Sequence, residues 1–423
     1  MRGRRGRTAA VCVAAALAVA ACGGGDAPGA QSGDQSGDLS GDQSGAQPGA
    51  QPGVPSSPGQ AAPGSTSAPP AGAPSSPTGT APPPAAAAFT IVAGGDVLLH
   101  EPTWAQADAD SGTSGDGTYD FAPQLSAIGP VVAAADLALC HLETPLAADG
   151  GPYTGYPSFA GPPQIAMGLA ATGFDACSMA SNHTWDKGLA GVERTVTTVQ
   201  AAGMTPYGAA VAGQPGNPTI VELAGLRVGL LSYTYGHNAA PGNGAVEVLD
   251  VDDALADAAA ARAAGAELVV ASIHWGTEYD HEINTQQRDL APALLDSPDI
   301  DLVIGHHAHV VQPIARIGTE WIAYGLGNML ASHATELPAN REGALARFTF
   351  TETADGWVVA EAAYLPIMVD VGPPLRMVDL PVALAGELPA DRRERYETAL
   401  GRTRDVVGRL DGGDELVEIT PSG

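Results

Sequence analysis

Lysine is almost missing from this chain: Lys187 is the only one in 423 residues, and lysine and arginine together number 19 against 47 aspartates and glutamates. The formal charge of −28 argues against nucleic acid or an anionic lipid surface as a partner, because phosphate binding draws on Lys and Arg. Cysteine is also scarce, with four in all. Two of them, Cys12 and Cys22, lie at the extreme N-terminus, so only Cys140 and Cys177 remain for a folded domain. Spacing alone leaves a disulfide and a pair of buried thiols equally open for these two. No long apolar run marks a membrane span, since the stretch 11–21 is too short for one. No internal repeat is found after residue 88.

Residues 1–21 read as an export leader, with Arg2, Arg4, Arg5 and Arg7 ahead of the apolar stretch. The leader ends in Val19-Ala20-Ala21-Cys22 followed by glycines, which resembles the lipobox of bacterial lipoproteins. That resemblance implies cleavage before Cys22, a lipid on its thiol, and an extracytoplasmic protein anchored to the bacterial cell membrane. An ordinary secretory signal with an incidental cysteine is the bland alternative. Residues 22–88 are low in complexity and nearly devoid of large apolar side chains, which predicts a disordered Gly/Ser/Pro/Ala tether.

The folded part, expected over 89–372, contains five apolar runs that each stop at metal-ligand chemistry. They cover residues 91–96, 137–143, 174–183, 268–274 and 302–309 and end around Asp96, Glu143, Asn182-His183, His274 and His306-His307-Ala308-His309. Runs of this length are buried strands of an α/β sheet, and open α/β sheets gather ligands at the carboxyl ends of their strands. Five such endings predict one pocket able to hold divalent cations. Helices are expected at 188–202, 251–264 and 285–295. Further strands are expected at 226–233 and 321–327, with a hairpin at 346–350 and 357–364. Beyond Pro373 a tail (373–423) carries one helix, 390–410.

Each motif has a bland reading. Asp96 and Glu143 alone would be turn residues, Asn182-His183 a helix-capping turn, His274 a structural histidine, and 306–309 a solvent-facing turn. Asn182 supplies a neutral oxygen ligand while His183 is placed to act as a general acid. On an extended chain His307 and His309 share one face, although the triple run leaves His306 open as the ligand in place of His307. His100 and Asp186 are additional candidates.

The motifs and their order identify a resemblance. Gly95-Asp96, Leu142-Glu143-Thr144-Pro145, Asn182-His183-Thr184-Trp185-Asp186-Lys187-Gly188, His274-Trp275-Gly276-Thr277-Glu278-Tyr279, Gly305-His306-His307-Ala308-His309-Val310-Val311-Gln312 and Tyr324-Gly325-Leu326-Gly327-Asn328 resemble the CapA-type capsule and poly-γ-glutamate synthesis proteins, a branch of the calcineurin-like metallophosphoesterase superfamily. The resemblance implies a four-layer α/β sandwich, two facing mixed sheets flanked by helices. It also implies two divalent ions (Mn, Zn or Fe) held by Asp96, Glu143, Asn182, His274, His307 and His309, with His183 as proton donor. The sequence departs from the superfamily pattern twice, with Leu98 where the first motif carries His and Glu143 where the second carries Asp.

The first functional expectation is a metal-dependent hydrolase outside the cell membrane. It would act on a cell-surface anionic polymer or phosphorylated intermediate, alongside a membrane-bound polymer synthesis or export complex. The alternative is a non-catalytic capsule assembly component that uses a degenerate metal site to bind polymer or a membrane partner. A purely structural lipoprotein would leave the convergent ligands unexplained.

Overall fold

The chain builds most of one sheet, leaves it for a second, and returns. The computed structural model describes residues 87–211, 216–239, 245–334 and 337–421. The leader, Cys22 and all but the last two residues of the tether lie outside them. Strands β1 (Ala88–Val97), β2 (Leu137–Leu142), β3 (Ala176–Ser178) and β4 (Thr205–Tyr207) run parallel as neighbours. Six strands then form the second sheet: β5 (Thr219–Leu223), β6 (Leu226–Thr234), β7 (Leu268–His274), β8 (Leu302–His306), β9 (Ile314–Ile317) and β10 (Glu320–Ala323), in the order β5-β6-β7-β8-β10-β9. The chain rejoins the first sheet through β11 (Asn328–Leu330), β12 (Glu342–Thr353), β13 (Gly356–Asp370), β14 (Arg376–Asp379) and β15 (Val417–Glu418). That sheet runs β14-β13-β12-β1-β2-β3-β4, with β11 on β1 and β15 on β13. Antiparallel β12, β13 and β14 make it mixed, as β5 and β9 do the second sheet.

Alternation along each strand separates the two faces. Ile91, Ala93 and Leu139 meet Val228, Leu230, Val270 and Ile304 in a core between the sheets. Val92, Ala138 and Cys140 face outward and are covered by α1 (Glu101–Asp110), α2 (Ala122–Leu125), α3 (Gly129–Val132), α4 (Ile165–Thr172) and α5 (Gly188–Ala201). Leu231, Val269 and Val303 do the same under α6 (Val251–Ala263) and α7 (Thr285–Leu295). The result is the expected four-layer α/β sandwich, because parallel strands must bury both faces.

Local chemistry sets the element ends. Asp250 accepts the Asp252 and Asp253 N–H groups to cap α6, and Asn284 with Gln287 forms a capping box at α7. On α5, Val192, Val196 and Val199 are buried but Leu189 is 36% exposed, so the apolar stripe is one residue shorter than its spacing implies. The strand expected at 321–327 ends at Ala323, and the chain crosses to the other sheet, where Asn328 pairs with Asp96. Two glycines permit this crossing: a Cβ at Gly305 would run into the Tyr324 carbonyl, and one at Gly95 into the Gly327 carbonyl.

Past Pro373, the expected helix is α9 (Ala390–Val407), preceded by the short α8 (Leu380–Ala385). Buried Glu342 pins α9 by accepting from Arg395 at 2.7 Å and Arg402 at 2.6 Å. Cys140 and Cys177 are register partners on β2 and β3, Cα atoms 4.5 Å apart, joined as a disulfide. Among the described residues no helix is long and apolar enough to cross a membrane.

Candidate metal centre

The carboxyl ends of the two sheets meet in two rows of side chains. In the first sheet, Asp96 pairs with His141, which pairs with Ser178. In the second, His274 ends β7 and pairs with His306, which ends β8. Glu143 follows β2, Asn182 and His183 follow β3, and His307 and His309 follow β8. Asp96, Glu143, His141, His274, Asn182, His306, His307 and His309 are all buried.

Three overlapping triads result, each with ligand atoms within 4.8 Å of one another: Asp96, His141 and His274; Asp96, Glu143 and His309; Glu278, His307 and His309. His309 Nδ1 lies 3.1 Å from Asp96 Oδ2, and its Nε2 lies 3.7 Å from Glu143 Oε1. His274 Nε2 is 2.9 Å from Asn182 Oδ1 and 3.9 Å from Glu143 Oε1. The pair 307 and 309 is not extended, as its sharing of a face had implied. Both residues take left-handed backbone, φ 88° and 55°, costly for a residue with a Cβ, and both rings enter the cluster with centroids 5.9 Å apart. His306 enters from the end of β8 instead, stacked on His141 at 4.0 Å with Nδ1 3.4 Å from Asp96.

Unmet partners test whether these residues fit a cation. Both Glu143 carboxylate oxygens and His307 Nδ1 are buried with no hydrogen-bond donor or acceptor among the described residues. Buried polar atoms are otherwise almost always partnered, and a carboxylate facing imidazoles with nothing to bind suits a divalent ion. The donor set therefore fits.

Burial and neighbouring charges act against each other throughout the cluster. Burial pushes the Glu143 carboxyl well above its usual range, opposed by His309 and reinforced by Asp96 and Glu278. Burial also works against ionised Asp96, but the adjoining His306 and His309 rings prevail and hold it well below the usual range. Burial opposes charge on His309, yet Glu143 and Asp96 raise it to about 9. Burial, aided by neighbouring imidazoles, keeps His274 and His141 neutral and takes His307 down to about 3.

His183 stands beside this cluster. Its Nδ1 is 2.8 Å from Asp186 Oδ2, whose carboxylate also accepts the Phe159 N–H. Phe159 packs edge-on against the His183 ring at 4.7 Å, and Asn238 Nδ2 lies 3.3 Å from Nε2. Asp186 thus orients the imidazole rather than joining a metal triad. His100 also joins no triad: it lies between Phe159 and His333, and its Nδ1 accepts the Ser332 N–H at 3.2 Å.

Sequence reasoning missed several residues that the fold brings in. His141 sits inside an apolar run and reads as one more strand residue; only its register with Asp96 exposes it. Asn328 Oδ1 is 3.1 Å from His309 Nδ1 and was visible as part of a motif without a role. His333 (4.8 Å from the His309 ring) and Tyr235 (4.5 Å from His307) come from loops with no motif around them.

The family described as "Bacterial capsule synthesis protein PGA_cap" matches residues 90–333, more than half of the chain. Among named relatives, the PGA biosynthesis protein CapA of Bacillus subtilis is 28% identical over 43% of this chain and 49% of its own length. The capsule biosynthesis protein CapA of Bacillus anthracis is 29% identical over 37% of this chain and 40% of its own. The chain thus spans about half the length of these relatives or less. Among solved structures, the calcineurin-like phosphoesterase YfkN of Bacillus subtilis aligns over 75% of this chain and 97% of its own at 16% identity, with a TM-score of 0.44. On the strength of the match over 90–333, this chain belongs to the PGA_cap family of bacterial capsule synthesis proteins.

Proposed function

We propose that the protein is a metal-dependent, phosphoesterase-like hydrolase held outside the cytoplasm by a lipid on Cys22, acting on a cell-surface anionic polymer or a phosphorylated intermediate of one. The observation that carries the reading is Glu143, a fully buried carboxylate with no hydrogen-bond partner for either oxygen among the described residues, facing His274 and His309. Asp96, Glu143 and His309 would hold one cation, and Glu143, Asn182, His274 and His307 a second. Mn, Zn or Fe suits this mixed oxygen and nitrogen set. Bound cations supply positive charge against a phosphoryl oxyanion and lower the pKa of a water.

The chain's own residues do the rest. His306 and the His307 N–H fix Asp96. Asp186 accepts from His183 Nδ1 and so fixes the ring, leaving its other nitrogen to give a proton to a leaving oxygen. Phe159 holds the ring from its edge. Positive charge on the ions would also receive an anionic chain that the acidic surface repels. The polymer context rests on the relatives, which are named for capsule and PGA biosynthesis.

Metal analysis of the purified protein tests the reading. Bound divalent metal is expected in the parent, depleted in Asp96→Ala and His274→Ala, together with hydrolysis of a phosphate monoester and diester panel. A parent that stays empty after growth with Mn, Zn and Fe refutes it. A metal-loaded parent inactive on the whole panel would instead favour a non-catalytic role in capsule assembly or export.

A further inference from the structure

We infer that His141 is a positioning residue: it fixes the tautomer and ring orientation of His274 through a relay that runs from the metal centre to the backbone of β2. The inference rests on the metal reading above and adds a residue to it. His274 presents Nε2 to Asn182 Oδ1 and Glu143, which leaves its other ring nitrogen for a second partner. That nitrogen, Nδ1, lies 3.0 Å from His141 Nε2. His141 Nδ1 in turn lies 2.7 Å from Ser178 Oγ, and Ser178 Oγ lies 3.3 Å from the Cys140 carbonyl. All three side chains are buried.

The direction of these bonds follows from valence. A neutral imidazole that gives its Nε2 lone pair to a cation must carry its proton on Nδ1. His274 Nδ1–H therefore donates to His141 Nε2, His141 Nδ1–H donates to Ser178 Oγ, and the Ser178 hydroxyl donates to the Cys140 carbonyl. Every donor and acceptor is used once. Without a cation the same contacts accept the reverse order, with His274 Nε2–H donating to Asn182 Oδ1 and the Ser178 hydroxyl donating to His141. Metal ligands usually have their second nitrogen held by a carboxylate, carbonyl or water; here a second imidazole, stacked on His306 at 4.0 Å, does that work. Register explains why it can: His141 stands between Asp96 and Ser178 in adjacent strands.

Zn²⁺ affinity of the purified full chain, measured by competition with a chelating dye, tests this. His141→Phe keeps the ring's bulk but cannot accept, and should weaken binding about 10–100-fold. His141→Gln places an oxygen near the position of Nε2 and should recover most of the loss, which restored bulk alone would not do. Equal affinity in parent and Phe variant, or a folded Gln variant no better than Phe, overturns the inference while leaving the metal reading intact. A parent with no Zn²⁺ affinity overturns both. Should His141→Phe fail to fold, ring-nitrogen NMR of the zinc-loaded parent decides: His141 protonated on Nδ1 with a free Nε2 supports the relay, and zinc on His141 or a proton on its Nε2 overturns it.

Discussion

Glu143→Gln should stabilise the protein without metal and remove the stabilisation that metal provides. The side chain is fully buried, neither oxygen has a hydrogen-bond partner among the described residues, and burial holds its carboxyl well above the ordinary value of 4.5. A folded pKa above the unfolded one means that its contribution is intact below about pH 4.5 and is lost as pH rises through the folded value, at about 1.36 kcal/mol for each pH unit that separates the two. A buried unsatisfied group costs about 1–3 kcal/mol when neutral and more when charged, and Gln stays unsatisfied at nearly constant shape but removes the charge. At pH 7.5 the metal-free variant should therefore be about 1–3 kcal/mol more stable than the metal-free parent, with the gap closing toward pH 4.5. Added cation at 100 times its Kd should stabilise the parent by about 2.7 kcal/mol and the variant far less. Denaturant unfolding with EDTA or with Mn²⁺ or Zn²⁺ measures all four states. A metal-free variant less stable than the parent, or one that gains as much from cation, would show that Glu143 is an ordinary buried carboxylate.

Three other outcomes follow from the structure. His183→Ala should retain bound metal while phosphoester turnover falls about 10²–10⁴-fold, and Asp186→Asn should follow it in the same direction; unchanged turnover would remove His183 from the chemistry. Tyr207 is buried, donates or accepts at Ser272 Oγ over 2.9 Å, and burial raises its pKa to about 12. Its raised folded value gives stability that is whole below about pH 10 and is lost as pH climbs toward 12, amounting to about 2–3 kcal/mol, so the alkaline limb of a stability–pH curve should flatten in Tyr207→Phe. Glu342→Ala would leave Arg395 and Arg402 without their shared acceptor. Because both guanidinium groups are partly exposed, side chains at 28% and 31%, the expected loss is about 1–3 kcal/mol rather than the full value for a buried pair, read as a drop in denaturant midpoint and earlier proteolysis within α9.

What the sequence determined by itself was the set of layers and the rim where chemistry collects. Apolar runs of strand length must be buried on both faces, and their polar endings then have nowhere to go but the shared carboxyl edge; Asp96, Glu143, Asn182, His274 and His309 were legible for that reason. The α6 and α7 boundaries were legible too, because Asp250 and Asn284 cap by local bonds. Tertiary structure alone decided the rest. The orientation of His306 against His307 depends on left-handed backbone that no spacing reveals, and the crossing at 324–327 depends on glycines whose neighbours lie in other strands. Whether Cys140 met Cys177, and whether His141 met His274, was a matter of register and of how two sheets face each other. Contacts between strands distant in the chain leave no periodic trace along it, so those pairings appear only once the sheets have closed.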